Sequence, residues 1–328
     1  MQFKLANLIF GGNRAFDQFP TLSFRELAGR AISESPSSLR LLGSSWIDFS
    51  TYFNSLSIMK WKEYSNAGSF YLHFKYRGAG FDLQERTVGN LDWCSRIVPG
   101  SNRSFPSSDA WASVDIEITE QAGETLHSFS IESAGELTLD DAYYYTDVDP
   151  CILRPVELAL AITPYRKEQY VLQSNLIKEG ILSVKSHFRA FSCPCCRQRR
   201  SLDCNSGSDR ISIHPNPNVG GSGGFARGMI ESLEQTPKAT HVLLMDDDVE
   251  VLPESFIRTF NLLSLLKEEY AEAFLSGAMM SLEEPNLRTE DLGFFTAKGT
   301  FSPLKPEGYM TSLHDVVETE IYKAPTGL

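Results

Sequence analysis

The run Val242-Leu243-Leu244-Met245, followed at once by Asp246-Asp247-Asp248, constrains this 328-residue chain more than any other stretch. A continuous apolar run of that length reads as a strand buried on both faces, as in a parallel sheet covered by helices. Three carboxylates at its C-terminal end then stand where open α/β sheets bind ligands. Adjacent acids repel one another, and the repulsion is relieved only by solvent or by a cation. Successive residues of an extended strand end point to opposite sides, so Asp246 and Asp248 can share one ion while Asp247 faces elsewhere. Hard oxygen ligands suit Mg²⁺ or Mn²⁺ holding a diphosphate. The competing reading is a solvated acidic loop ahead of a helix that Pro253 opens.

Composition narrows the partners. A net charge of −12 argues against a nucleic-acid backbone as ligand. No apolar run approaches the length of a membrane span, and Leu5 to Phe10 is too short for a signal-peptide core, so a cytoplasmic location is expected. Four of the six cysteines cluster at Cys193, Cys195, Cys196 and Cys204. Their spacing lacks paired C-x-x-C knuckles, and no structural zinc is expected there.

Residues 1–150 read as an all-β domain. Phe70, Leu72, Phe74 and Tyr76 alternate with polar residues, as do Val114, Ile116 and Ile118. Phe129 with Ile131 and Leu137 with Leu139 continue the pattern, and glycines punctuate it as turns. Short strands at this spacing predict a β-sandwich or jelly roll. Trp46, Tyr52, Phe53, Trp61 and Tyr71 are expected mainly as its core rather than as sugar-stacking rings. His73 and His127 are expected as surface or hydrogen-bonded histidines.

Asp147-Val148-Asp149-Pro150 reads as a linker, and residues 151–328 as a second, α/β domain. Val156 to Ile162 is a mostly apolar strand ending in Thr163-Pro164-Tyr165-Arg166, with a helical pattern behind it, which makes a first βα unit. Arg166 stands where a strand-end turn can meet a phosphate or a uracil ring. A second parallel strand is due near Phe188, but the cysteine cluster and the basic run Arg197 to Arg200 occupy the place. The stretch from Asn216 to Gly228 holds Gly220, Gly221, Gly223 and Gly224, which allow close backbone approach to a ligand. Ser222 is predicted to cap a helix whose apolar face is Phe225, Met229 and Leu233. Such a helix start favours anions, although neither a Walker loop nor a dinucleotide fingerprint is present. Phe256, Ile257, Phe260, Leu263 and Leu266 predict an amphipathic helix, and Phe274 to Met280 a small strand; the tail beyond Asp291 shows little periodicity.

The segments Thr51-Tyr52-Phe53-Asn54, Ile162 to Arg166, Asn216 to Phe225 and Met245 to Asp248 together resemble the bacterial two-domain UDP-galactofuranosyltransferases of the polymerising type. The resemblance covers nearly the whole chain, and its most specific part is the glycine-rich stretch with the acidic triplet behind it. It implies α/β plus β architecture: an N-terminal jelly roll followed by a GT-A-type nucleotide-sugar-binding domain. It also implies transfer of galactofuranose from UDP-galactofuranose to a cell-wall or surface glycan, with inversion. By resemblance, Asp246 and Asp248 hold Mn²⁺ or Mg²⁺ under the diphosphate. Thr163, Arg166, Asn218, Gly220, Gly221 and Asp247 form the donor-nucleotide site. A lipid-linked acceptor would bring peripheral membrane association, and homo-oligomers fit the family.

Two departures matter. Ser192 to Gln198 replaces an apolar strand end of the family. The family's acceptor segment, catalytic carboxylate and histidine ligand have no match before Leu328, so the α/β domain is expected to be truncated in its acceptor half. Asp291 and Asp315 qualify as the base by residue type alone, and neither is assigned: the catalytic residue is left unknown. The alternative reading is a non-catalytic nucleotide- or carbohydrate-binding protein.

Overall fold

The computed structural model describes residues 1–89, 94–121, 123–164, 188–192, 211–214, 216–217 and 220–321. Two compact units emerge, one of Met1–Ile152 with Leu265–Leu328, the other of Leu153–Ser264. Among the described residues no helix is long and apolar enough to cross a membrane.

The first unit is built on ten strands. They are β1 (Gln2–Asn7), β2 (Arg25–Ser35), β3 (Ser38–Asp48), β4 (Phe70–Gly78) and β5 (Phe81–Gly89). Then follow β6 (Arg96–Ile97), β7 (Arg103–Phe105), β8 (Ser108–Glu117), β9 (Glu124–Ser133) and β10 (Leu137–Asp147). Two short helices, α1 (Arg14–Gln18) and α2 (Ile58–Tyr64), interrupt them. The sheet order is β6-β5-β9-β3-β10-β4-β8, with β1 on β10, β2 on β3 and β7 on β5. Every pairing is antiparallel. Phe74 of β4 and Phe129 of β9 lie three strands apart along this order, about 14 Å on a flat sheet. Their rings stack with centroids 6.3 Å apart, so the sheet folds over onto itself. The alternation seen in the sequence is the reason: Phe70, Leu72, Phe74 and Tyr76 all point inward and are buried, as are Val114 and Ile116.

The family-like segment from Thr51 to Asn54 has a structural role here. Asn54 accepts from the Ile9 amide at 2.8 Å and donates to the Ile9 and Ser23 carbonyls at 2.9 and 2.7 Å. Thr51 donates to the same Ser23 carbonyl at 3.0 Å. Of the five aromatics expected in the core, Phe53 and Trp61 are buried, while Trp46, Tyr52 and Tyr71 are half-buried.

The second unit carries a parallel sheet of β11 (Leu158–Ile162), β12 (Phe188–Ser192), β13 (Ile211–Ile213) and β14 (His241–Met245), in the order β13-β12-β11-β14. The strand due near Phe188 is therefore present, ending just before the cysteines. Among the described residues two helices belong to this unit, α3 (Gly220–Glu234) and α4 (Pro253–Leu265), and Pro253 opens the latter as its fixed φ favours. The strand buried on both faces is β11, all five of whose residues are buried. Correcting the expectation, β14 is not fully buried: it pairs only with β11 among the described strands, and its Leu244 is 46% exposed. An apolar run does not by itself distinguish a central strand from an edge strand.

The remaining segment has β15 (Met279–Met280), β16 (Leu287–Glu290), β17 (Gly293–Phe295), β18 (Phe301–Pro303), β19 (Gly308–Tyr309) and α5 (Leu313–Ile321). Residues 265–328, expected with the α/β domain, cluster with the β unit instead. Lys60 of α2 meets Glu320 of α5 at 2.9 Å, and Arg25 of β2 donates to the Thr311 carbonyl at 3.1 Å. The apolar strand expected from Phe274 is reduced to Met279–Met280, and the tail beyond Asp291 forms a hairpin and a helix that buries Leu313, Val316 and Val317.

Candidate functional site

In the Leu153–Ser264 unit, strand register determines what shares an edge. Ile162 pairs with Met245 on one side and with Ser192 on the other. Thr163 and Asp246 therefore leave adjacent strands at the same level, at the C-terminal edge where parallel sheets bind ligands. Beyond Met245 the chain turns at Asp247–Asp248. Asp246 and Asp248 are exposed and Asp247 is half-buried.

Helix α3 brings its first turn to that edge, and its glycines explain how. A Cβ on Gly224 would lie 2.0 Å from Thr163 Cγ2, and one on Gly228 would lie 2.6 Å from Ala161 Cβ. Only residues without side chains let the helix sit this close on β11. The buried face of α3 is Gly224, Gly228 and Ser232, and Ser232 Oγ donates to the Gly228 carbonyl at 2.7 Å. This corrects the predicted face: Met229 is 40% and Leu233 51% exposed. Ser222 is also not the cap, since the helix already begins at Gly220, whose φ of +80° suits glycine. The i, i+4 spacing of Gly224 and Gly228 was the available signal, and reading α3 by hydrophobicity alone missed it.

Thr163, Gly220, Gly221, Asp246, Asp247 and Asp248 thus gather at one edge of one sheet. Thr163 Oγ1 is buried there without a hydrogen-bond partner. Arg166 and Asn218 lie outside the described residues, as do Cys193, Cys195, Cys196 and Cys204. Among the described residues no three His, Cys, Asp or Glu side chains are grouped to hold a metal by themselves. Two carboxylates at a strand end leave the other coordination positions to water and ligand oxygens, which is how Mg²⁺ is commonly bound. The donor set at Asp246 and Asp248 fits a hard divalent cation of that kind.

The two carboxylates considered as a base are engaged elsewhere. Asp291 is 7% exposed, and its Oδ2 accepts from Lys305 Nζ at 3.1 Å with Arg288 at 3.8 Å. Arg288 in turn donates to Thr319 at 2.6 Å and to the Pro306 carbonyl. Burial, with Lys60 adding to it, pushes the Lys305 ammonium down to about 8 despite Asp291. Asp315 accepts from the Tyr309 amide at 2.7 Å and faces His314 at 2.9 Å. Both carboxylates hold the C-terminal segment together.

No protein-family model matches the chain. The galactofuranosyltransferase GlfT2 of Mycobacterium tuberculosis (strain ATCC 25618 / H37Rv) is 27% identical over 276 residues, 79% of this chain and 41% of that protein. GlfT2 of Mycolicibacterium smegmatis is 27% identical over 274 residues, 78% of this chain and 40% of that one. Among solved structures, the CBM22-1–GH10 modules of Clostridium thermocellum xylanase 10B align over 60% of this chain and 38% of theirs, at 8% identity and a TM-score of 0.30. TmCBM61 in complex with β-1,4-galactotriose aligns over 42% of this chain and 99% of its own, at 15% identity and a TM-score of 0.25. Scores this low do not establish a shared fold. The chain spans about two fifths of the length of the curated relatives it matches, and over most of its own length it is similar to galactofuranosyltransferases.

Proposed function

We propose that the Leu153–Ser264 unit is a GT-A-type donor domain that binds UDP-galactofuranose at the C-terminal edge of its parallel sheet, in a metal-dependent, inverting galactofuranosyltransferase. The observation that carries this reading is the meeting of Asp246 and Asp248 with Thr163 and the start of α3 at one sheet edge. The similarity to galactofuranosyltransferases supports the choice of sugar. Asp246 and Asp248 would hold Mn²⁺ or Mg²⁺, and neutralising the departing diphosphate is the chemistry such an ion supplies. Gly220 and Gly221, at a helix N-terminus, suit the approach of phosphate oxygens to the backbone. Arg166, Asn218 and Asp247 complete the nucleotide site in this proposal. The acceptor is a cell-wall or surface glycan; a lipid-linked one would bring the protein to the membrane face, and a homo-oligomer would present several sites to it.

Calorimetry with UDP tests the reading. A diphosphate adds negative charge to an acidic edge, so binding is expected only with Mn²⁺ or Mg²⁺ present. Asp246→Ala or Asp248→Ala should remove the metal-dependent part, and Asp247→Ala should do less. Metal-independent binding of equal strength, or none with metal, overturns it. Inverting transfer also needs a carboxylate to take the acceptor hydroxyl proton. The engagement of Asp291 and Asp315 favours a second reading, a non-catalytic binding protein. Turnover of UDP-galactofuranose by this chain separates the two.

A further inference from the structure

In an antiparallel sandwich the face turned away from the core is ordinarily polar. The outer face of β4, β8 and β10 departs from that rule. Phe70, Leu72, Phe74 and Tyr76 point inward from β4, so Tyr71, His73, Lys75 and Arg77 stand on the other side. Val114 and Ile116 are the inward residues of β8, which places Trp111 and Asp115 outside. Strand register lays these residues side by side. His73 pairs with Asp115 of β8 and with Tyr143 of β10, and Tyr71 pairs with Tyr145. The side chains meet accordingly: His73 Nδ1 lies 2.9 Å from Asp115 Oδ1, the His73 and Tyr143 rings stack at 4.6 Å, and the Tyr71 and Tyr145 rings at 4.9 Å.

Two features of this face point to an uncharged ligand. First, its cations are engaged within it. Lys75 Nζ meets Asp141 Oδ2 at 2.9 Å, Lys4 Nζ lies 3.9 Å from the Tyr143 ring centre, and the Arg77 guanidinium lies 5.0 Å from that of Trp111. A phosphate would have to break one of these contacts, and among the described residues no three ligating side chains are grouped for a metal. Second, the accessible groups are amphipathic. Trp111 is 45% exposed and Tyr71 is half-buried. The Asp115 carboxylate is held by His73 and by the Tyr145 hydroxyl, yet 46% of its side chain meets solvent. Its two oxygens have more lone pairs than two donors use, so it can still accept from hydroxyl groups. Exposed aromatic rings beside such an acceptor suit the C–H face of a sugar ring. Tyr71 pairs with Glu117, so along β8 six residues separate its level from Trp111, about 20 Å, with Asp115 between them. That span suits several sugar rings in line rather than one.

We propose that the outer face of β4, β8 and β10 binds a neutral oligosaccharide in extended form, with Trp111 and Tyr71 as stacking platforms at its ends and Asp115 accepting from hydroxyls between them. The proposal stands apart from the transfer activity, because all these residues lie in the Met1–Ile152 part of the chain. Electrophoresis of the full chain through gels containing soluble polymers of glucose, xylose, mannose or galactose tests it. Retardation by at least one polymer is expected, and saturating UDP with Mn²⁺ should leave it unchanged. Calorimetry with the matching tetrasaccharide should show binding about tenfold tighter than with the monosaccharide, which reaches one platform only. Trp111→Ala should weaken tetrasaccharide binding about tenfold, the loss of one aromatic contact, and its exposure means that the variant folds as the parent does. Asp115→Asn should weaken it about fivefold, the difference between a hydrogen bond to a carboxylate and one to an amide. No retardation by any of the four polymers, binding that Trp111→Ala leaves unchanged, displacement by UDP, or tighter binding of anionic polygalacturonate overturns the proposal.

Discussion

Asp291 and Asp246 each follow the end of a short strand, and the protein treats them in opposite ways. Asp291 is buried and faces two cations, Lys305 and Arg288. Asp246 is exposed, beside two further acids, at a sheet edge. A carboxylate countered from within the fold contributes to folding and has little left for a ligand. An exposed aspartate at a sheet edge keeps its side chain within reach of a ligand. The difference separates a structural aspartate from a candidate binding one more reliably than residue type does.

The largest effect that could break this contrast is on stability. Asp291→Ala leaves Lys305 buried with one counter-charge fewer and should destabilise by about 3 kcal/mol, the low end for a broken buried pair because Lys305 can release its proton. Urea unfolding measures it, and a loss below about 0.5 kcal/mol would make Asp291 a surface-like residue.

Next in size is the seat of α3. Gly224→Ala drives a methyl into Thr163 and should cost about 1–3 kcal/mol. At Gly221 a Cβ meets nothing within 4 Å, so Gly221→Ala should instead stabilise by about 0.5 kcal/mol. Equal effects at the two positions would mean that α3 does not sit glycine-face down on β11.

Titration gives a smaller test with two arms. Lys305 titrates at about 8 when folded against an ordinary 10.5, so between those values the unfolded chain binds more protons and stability rises with pH. Lys305→Met should flatten that rise. Glu85 has the same sign in an acid window: its folded value lies below the ordinary 4.5, so its contribution is present above 4.5 and is lost as pH falls below it. Glu85→Gln should flatten the acid limb. The smallest effect is on the exposed side of the comparison: Asp246→Ala should change stability by less than about 0.5 kcal/mol.

Local pattern carried much of this molecule. Period-2 alternation marked β4, β8, β9 and β10, because a strand with one buried face writes that face into every second residue. The apolar runs before Thr163 and Asp246 marked two parallel strands, and Pro253 marked the start of α4. The acidic triplet was legible as a strand-end feature because three adjacent carboxylates have few stable settings. Where Arg166 and Asn218 stand relative to that edge lies outside the described residues.

Tertiary structure alone decided the rest, and each case turns on partners distant in sequence. Hydropathy pointed α3 toward Phe225, Met229 and Leu233; the closeness of Ala161 and Thr163 chose Gly224 and Gly228. An apolar run could not say that, among the described strands, β11 pairs on both sides and β14 with β11 alone, since that depends on how many neighbours pair with each. Lys60 meets Glu320 across 260 positions, and Glu85 meets His127 across 42. Sequence determines which side chains can ionise and which faces are apolar. Which charge is neutralised, and which polar atom is buried without a partner, follows only once the fold brings those distant residues into contact.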